Sequence, residues 1–345
     1  MKVRAHQSIL AGSALALLVL PVFAYSPDNT VKPITVETAI ERLSKFGAYR
    51  RELTASPRQI ELGRRLFSDP RLSSHGKMSC STCHMPSRHF ADGLPRAIGR
   101  NGKPVARKTP SLLTAAFQSE LFWDGRAATV EEAALIAVQN PEEMAQPLPA
   151  LAAKVAALPG YAAAFAAAYP GAAVSSTTIG QALGAYVRSL AAAEDSPFDH
   201  FLADGTGLSS GATRGFLIFT QGAGCVNCHG SRNFNYIGRY RNIGLAPGRK
   251  DDPGRYLVNP RPAMWGAFRI PTLRNVALTA PYMHDGRFAT LREVIDYHDR
   301  GGDKTRYQDG EITALHLGDG EKEDLLAFLQ ALTSSRHPEE DRKDP

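Results

Sequence analysis

Cysteine and tryptophan are the scarce residues of this chain, four of one and two of the other in 345. So few thiols exclude a disulfide-dense scaffold. Basic residues form no block and no aromatic array interleaves with them, so nucleic acid is excluded as a partner. Long apolar runs are also missing, with one exception at Ile9–Val22. Lys2 and Arg4 precede that run, and Val22-Phe23-Ala24 offers small residues for cleavage, the pattern of a secretory signal over residues 1–24. A retained anchor is the competing reading, but the run is short for a span and contains Pro21. No stable membrane insertion is expected once the signal is removed. Its loss takes the formal net charge from +6 to +4. That mild basicity, with both signs interleaved, leaves room for a patch that steers an acidic partner.

The four cysteines fall into two copies of one pattern, Cys80-Ser-Thr-Cys83-His84 and Cys225-Val-Asn-Cys228-His229. C-x-x-C-H is the spacing of c-type haem attachment, with two thiols for the vinyl groups and a His for the iron. Composition alone yields ~10⁻³ such matches in a chain of this length. Two matches that use every cysteine leave little room for scattered core thiols. A zinc site would need further Cys or His ligands nearby, and none fits. Two covalently bound haem c groups are expected, held by Cys80, Cys83, Cys225 and Cys228, with His84 and His229 as iron ligands. Export to the periplasm agrees with such attachment.

The length suits about two domains. Residues 25–55 read as a polar lead-in with one short helix near Val36–Phe46. Ser56-Pro57 is a helix start, Ile60, Gly63 and Phe67 share one face, and Asp69-Pro70 ends the helix. Residues 129–194 read as Ala-rich helices broken at Asn140-Pro141, Pro147, Pro149, Pro159-Gly160 and Pro170-Gly171. Asp204-Gly205-Thr206-Gly207 marks the expected boundary between a first domain, 56–204, and a second, 205–336, before a polar tail, 337–345.

The second half repeats the first. Gly63-Arg-Arg-Leu66-Phe67 is answered by Gly215-Phe-Leu-Ile218-Phe219, and Tyr186-Val-Arg-Ser-Leu190 by Phe328-Leu-Gln-Ala-Leu332. Thr109–Glu132 aligns with Ile270–Glu293 without a gap and with nine identities in 24 positions, among them Asp124/Asp285, Gly125/Gly286 and Arg126/Arg287. About one or two would arise by chance. The expected fold is all-α, two cytochrome c-like haem domains related by internal duplication, each with its terminal helices packed together.

An iron with ligands on both faces moves electrons, whereas one with an open face can bind peroxide or dioxygen. In the second half Leu291, Val294, Ile295 and His298 share the inward face of one helix, which makes His298 the candidate sixth ligand. A His on an apolar face is more often a packed core residue, but here the core must hold a haem. Met264, Met283, His284 and His316 compete for the role. In the gapless register His298 corresponds to Ala137, and Val130, Ala133 and Ala134 complete a face without a ligand. His75 and His89 lie close to the first motif and are minor candidates. The first haem is therefore expected to keep an open face. Cleaving peroxide there needs a group that moves a proton between its oxygens, and Asn140-Pro141-Glu142-Glu143-Met144 offers two carboxylates. Trp123, at the register position of His284, could carry an oxidising hole or simply be core.

With Phe122-Trp-Asp-Gly-Arg126, Asn140-Pro-Glu-Glu-Met144, Pro271-Thr-Leu-Arg-Asn275 and Pro281-Tyr-Met-His-Asp-Gly286, the chain resembles the bacterial di-haem cytochrome c peroxidase/MauG superfamily over residues 50–335. The resemblance implies a peroxidatic first haem, Trp123 between the haems, Glu143 as the distal acid–base and a second haem that relays electrons, ligated by His298. Departures from the family pattern are informative. Arg100 stands where many of these peroxidases carry a displaceable distal His, so reductive activation is not required. His298 replaces Met or Tyr, which favours ferric iron and helps to hold high-valent iron. Ala133 replaces a distal Gln. Lys108 replaces the calcium-binding Asn and leaves only the carbonyls of Thr279 and Pro281, so its ammonium is expected to take the place of inter-haem calcium. Ala223 replaces the surface Trp by which the MauG maturase passes holes to its protein substrate.

Three functions are in competition. The leading one is a periplasmic di-haem peroxidase that reduces H₂O₂ with electrons from a small cytochrome c or cupredoxin. The second is a MauG-like oxidase that directs high-valent iron at a protein or small molecule. The third is a plain di-haem electron-transfer cytochrome. Oligomeric state is left open by the sequence.

Overall fold

The computed structural model describes residues 34–44, 54–191, 195–245 and 252–335. The signal, parts of the lead-in and the tail lie outside these residues. Regular structure is mostly helical. Helix α1 (Val36–Ser44) belongs to the lead-in, and the first half contains α2 (Pro57–Ser68), the single turn α3 (Cys80–Cys83), α4 (Val130–Gln139), α5 (Leu148–Ala157), α6 (Tyr161–Ala168) and α7 (Ser176–Ser189). Then come α8 (Pro197–Asp204), α9 (Ser210–Leu217), α10 (Leu291–Asp299) and α11 (Asp319–Gln330). The all-α expectation needs one small correction. Strands β1 (Tyr240–Arg241) and β2 (Phe268–Arg269) pair antiparallel, because Gly- and Pro-rich segments that do not form helix must still satisfy their backbone groups.

Helix starts follow the local sequence. The Ser56 hydroxyl accepts from the Gln59 amide, and the Gln59 side chain accepts from the Ser56 amide at 2.9 Å, a closed capping box. Thr129 caps α4 and Thr290 caps α10, accepting from the amides of Glu132 and Glu293, and at Thr290 the box is closed as well. The loops ahead of these two helices are also alike. Leu121 bridges Ala127 and Tyr282 bridges Phe288, with left-handed backbone at Phe122 and Met283.

Each half closes by crossing its first and last long helices, α2 with α7 and α9 with α11. Glycine makes both crossings possible. A Cβ on Gly63 would lie 2.0 Å from the Ala182 carbonyl oxygen and 2.8 Å from the Tyr186 Cβ. A Cβ on Gly215 would lie 2.0 Å from the Asp324 carbonyl oxygen and 2.8 Å from the Phe328 Cβ. Around them, Leu66, Phe67, Leu183 and Tyr186 form one core, and Phe216, Phe219, Phe234 and Phe328 another.

The cores do not divide where the sequence suggested. Helix α8 lies before the expected boundary at Gly205, yet its Phe198 is wholly buried in the second core, against Phe216, Phe234 and Phe328. Arg274 fixes Asp199 of the same helix at 2.7 Å. Ala39 and Leu43 of α1 join that core too. Gly205 is a left-handed helix stop, and a stop signal in the sequence says nothing of which core a helix serves.

The halves are tied by a reciprocal pair of backbone bonds. The Lys108 amide donates to the His284 carbonyl at 2.7 Å, and the Arg269 amide donates to the Trp123 carbonyl at 2.9 Å. Lys108 and Arg269 share one register position, as do Trp123 and His284, so the contact is that of an approximate two-fold.

Candidate haem site

Each C-x-x-C-H motif folds as a single tight turn that turns both thiols and the imidazole toward one cavity. Ser79 precedes α3, with its amide bonded to the Thr82 hydroxyl at 3.0 Å, and the His84 amide closes the turn on the Cys80 carbonyl at 2.9 Å. The second motif repeats this, with the His229 amide on the Cys225 carbonyl at 2.8 Å. All four cysteines are free thiols. Burial pushes Cys80, Cys83 and Cys225 up to about 12 and raises Cys228, so they are held neutral.

Both motif histidines are oriented by the same device. His84 Nδ1 lies 3.0 Å from the Phe90 carbonyl and His229 Nδ1 lies 2.7 Å from the Phe234 carbonyl. The carbonyls accept, which puts the proton on Nδ1 and leaves each Nε2 lone pair for a metal. Phe90 and Phe234 are buried and left-handed, at φ 57° and 52°. Such strain in a bulky residue persists where the surroundings demand it, and here it turns each carbonyl to its histidine. Burial lowers the pKa of His84 and takes that of His229 down to about 4, so both rings are neutral, as ligands must be.

A cavity of about 1980 Å³ runs past both motifs, well beyond the ~300–1,000 Å³ of an ordinary ligand pocket. Cys80, Cys83 and His84 line it in one half, and Cys225, Cys228 and His229 in the other. The volume, the mainly apolar lining, the neutral free thiols and the two pre-oriented imidazoles fit one haem at each motif.

His298 lines the second end. Its Nδ1 lies 2.9 Å from the Val294 carbonyl, the same arrangement as in the two motif histidines, and it is close enough to His229 to disfavour protonation of that ring. Ala133, Ala134 and Ala137 line the first end. Of the competing ligands, Met283 and His284 also line the cavity, whereas Met264, His316, His75 and His89 do not. Arg100 is outside it and bonds the Pro141 carbonyl at 2.7 Å. Met144, not weighed from sequence, lines the cavity next to Glu143 and is buried in the first core. Its position in a Pro-broken loop carries no periodicity that could have placed it inward.

The two loop carboxylates differ in setting. Glu142 is exposed, and Glu143 is half-buried with Oε1 accepting from Asn140 Nδ2 at 2.7 Å. Burial raises the Glu143 pKa above the ordinary carboxylate value, against the opposing pull of Asn140 and Arg126. Its charge contributes to the raised Cys80 and Cys83 thiols, which places it near the first motif.

Trp123 lines the cavity where the halves meet. Its indole donates to the Lys108 carbonyl at 2.9 Å, and its ring meets His284 edge-on. His284 stacks on Phe268 with centroids 3.9 Å apart. Lys108 is buried, and its ammonium donates to the Thr109 carbonyl at 3.1 Å.

Residues 57–207 match the model of a family described as di-haem cytochrome c peroxidase. The methylamine utilization protein MauG of Methylorubrum extorquens is 36% identical over 279 residues, covering 80% of this chain and 78% of MauG. Cytochrome c551 peroxidase of Pseudomonas aeruginosa is 32% identical, covering 81% of this chain and 80% of that enzyme. Among solved structures, a MauG-like protein associated with microbial copper homeostasis superposes with a TM-score of 0.77 at 33% identity, over 84% of this chain and 94% of that one. With two oriented haem-binding turns on one cavity and relatives of these kinds over most of its length, the chain belongs to the di-haem cytochrome c peroxidase family and is an oxidoreductase that uses haem iron.

Proposed function

We infer that the protein is a periplasmic di-haem peroxidase that reduces H₂O₂ at its first haem, with electrons relayed through the second. Thioethers from Cys80 and Cys83, and from Cys225 and Cys228, would hold the two groups, with His84 and His229 as axial ligands. The observation that carries the reading is the unequal lining of the two ends. Supporting it, His298 lines the cavity within reach of His229 with its Nδ1 on the Val294 carbonyl, and its register equivalent Ala137 offers no ligand. One iron would thus be closed by two histidines and the other left open. Haem iron supplies the electron-transfer chemistry that O–O cleavage requires.

The residues around it manage protons and position. Asn140 holds Glu143 Oε1, which leaves Oε2 to accept a proton from one peroxide oxygen and return it to the other. The balance is H₂O₂ + 2H⁺ + 2e⁻ → 2H₂O, with the electrons from a small cytochrome c or cupredoxin. Trp123 and His284, at the contact between the halves, would share the path between the two sites. The halves themselves read as products of one duplication. Lys108 would replace inter-haem calcium with its ammonium.

A MauG-like oxidase acting on a protein or small molecule is the second reading, favoured by the similarity to MauG and to the MauG-like structure. Ala223 lines the cavity ahead of the second motif and offers no redox-active side chain there, which argues against hole exit by that route. Steady-state consumption of H₂O₂ with a reduced cytochrome c or cupredoxin separates the two. Turnover supports the peroxidase, and its absence alongside an EPR change after one equivalent of H₂O₂ supports the oxidase.

A further inference from the structure

The cations that line the cavity are not all held by a carboxylate. Of its lining cations, Arg107, Arg126, Arg241, Arg274 and Arg287 each bridge a carboxylate. Among the described residues no carboxylate bridges Lys108 or Arg269. Lys108 is 5% exposed and its ammonium has the Thr109 carbonyl as its bond. Arg269 bonds the Phe122 carbonyl at 3.2 Å and the Gln118 side chain. Asp92 acts on Lys108 and Glu120 on Arg269 without bridging them. A cation held out of water with no carboxylate in contact is costly, so such a pair in one cavity points to anionic ligand groups that complete it.

The two cations are also register equivalents, one step ahead of the matched segments that begin at Thr109 and Ile270. Two residues further on, Pro110 and Pro271 line the cavity with the motif histidines His84 and His229. Lys108 is close enough for its charge to be felt by His84, and Arg269 holds the equivalent register position in the second half. Among the described residues no carboxylate bridges Arg96 or Arg306 either, two exposed lining cations, again one in each half.

We propose that Lys108 and Arg269 are the buried counter-ions of the cofactors' carboxylates, each taking one propionate of the haem carried by its own half. The proposal rests on haem occupancy at the two motifs and is independent of whether the reaction is peroxidase or oxidase. A cation beside an iron favours the reduced state by Coulomb attraction, so removing it should make that haem harder to reduce.

The test is spectroelectrochemical titration of the full holoprotein without peroxide, comparing K108M and R269M with the unaltered chain. K108M should lower the reduced-to-oxidised ratio of the first haem about tenfold at a fixed potential, and leave the second haem in place. R269M should do the converse. K108R and R269K should restore the ratio, which a merely structural role would not. Unmoved potentials in both variants, a shift of the wrong haem, or failure of the charge-preserving variants to restore it would overturn the proposal. If the variants lose haem, K108R and R269K alone decide it, since retention of the unaltered potentials supports a charge role and altered potentials reject it. Peroxide turnover is not read in this experiment, so failure of the functional reading leaves its outcome distinct.

Discussion

Trp123 meets His284 edge to face, with ring centroids 6.4 Å apart and planes at 69°. The two residues occupy the same position in the two halves, so the chain places unlike rings at the centre of a near-symmetric contact. The surrounding backbone bonds are reciprocal, but the side chains are not. The same holds further out, where His298 faces one end of the cavity and Ala137 the other. Symmetry of scaffold with asymmetry of side chains is how one fold can present two irons with different tasks.

Replacing His298 with Ala should convert the second haem from low spin to high spin while haem content stays the same. EPR and absorption spectra check this directly. A spectrum that remains low-spin would give the ligand role to Met283 or His284, the other candidates on the cavity wall.

Glu143→Gln should slow the reaction with peroxide by about 10²–10⁴-fold, the usual contribution of a positioned acid–base group. The carboxylate must start unprotonated to take the first proton. With its pKa raised by burial, the rate of the unaltered protein should fall as pH drops through a value above the ordinary carboxylate range. Stopped-flow mixing with H₂O₂ across pH measures both effects, and the acidic limb should be missing in the variant.

Gly63→Ala and Gly215→Ala should each destabilise the fold by about 1–3 kcal/mol or more, since the added methyl meets backbone across a helix crossing. Gly320, in the first turn of α11, has nothing near a built Cβ, and Ala there should leave stability unchanged or raise it. Thermal or denaturant unfolding distinguishes the three. Equal midpoints at all three positions would refute the close-packing account.

Asp199→Asn should cost about 3–5 kcal/mol because it leaves the buried Arg274 guanidinium without its carboxylate. Burial alone would raise the Asp199 pKa, but Arg274 and Ser196 outweigh it and hold it low. A depressed carboxylate stabilises the fold above its unfolded value, and the benefit disappears as pH falls through the lower folded value. The penalty measured by unfolding should therefore be full at neutral pH and shrink below about pH 4. A penalty independent of pH over that range would show that charge is not its source.

Elemental analysis of the purified holoprotein should find iron at two per chain and no stoichiometric calcium, because the Lys108 ammonium repels a divalent cation at that position. Calcium bound at one per chain would reject that assignment.

The sequence by itself determined the features that depend on a few neighbouring residues. C-x-x-C-H closes within one turn, Ser56, Thr129 and Thr290 cap the helices that follow them, and Leu291, Val294, Ile295 and His298 share a face because a helix repeats every 3.6 residues. The gapless register also paired Trp123 with His284 before any contact between them was visible. Tertiary structure decided what depends on distant partners. It half-buried Glu143 and left Glu142 exposed, both on the cavity wall, although the two adjoin in a loop without periodicity. It assigned α8 and α1 to the second core, since Phe198 is held by rings of Phe216, Phe234 and Phe328 that lie far along the chain. It left Lys108 and Arg269 beside the cavity without carboxylates, because a charge's partner is chosen by packing across the fold and not by its neighbours in sequence.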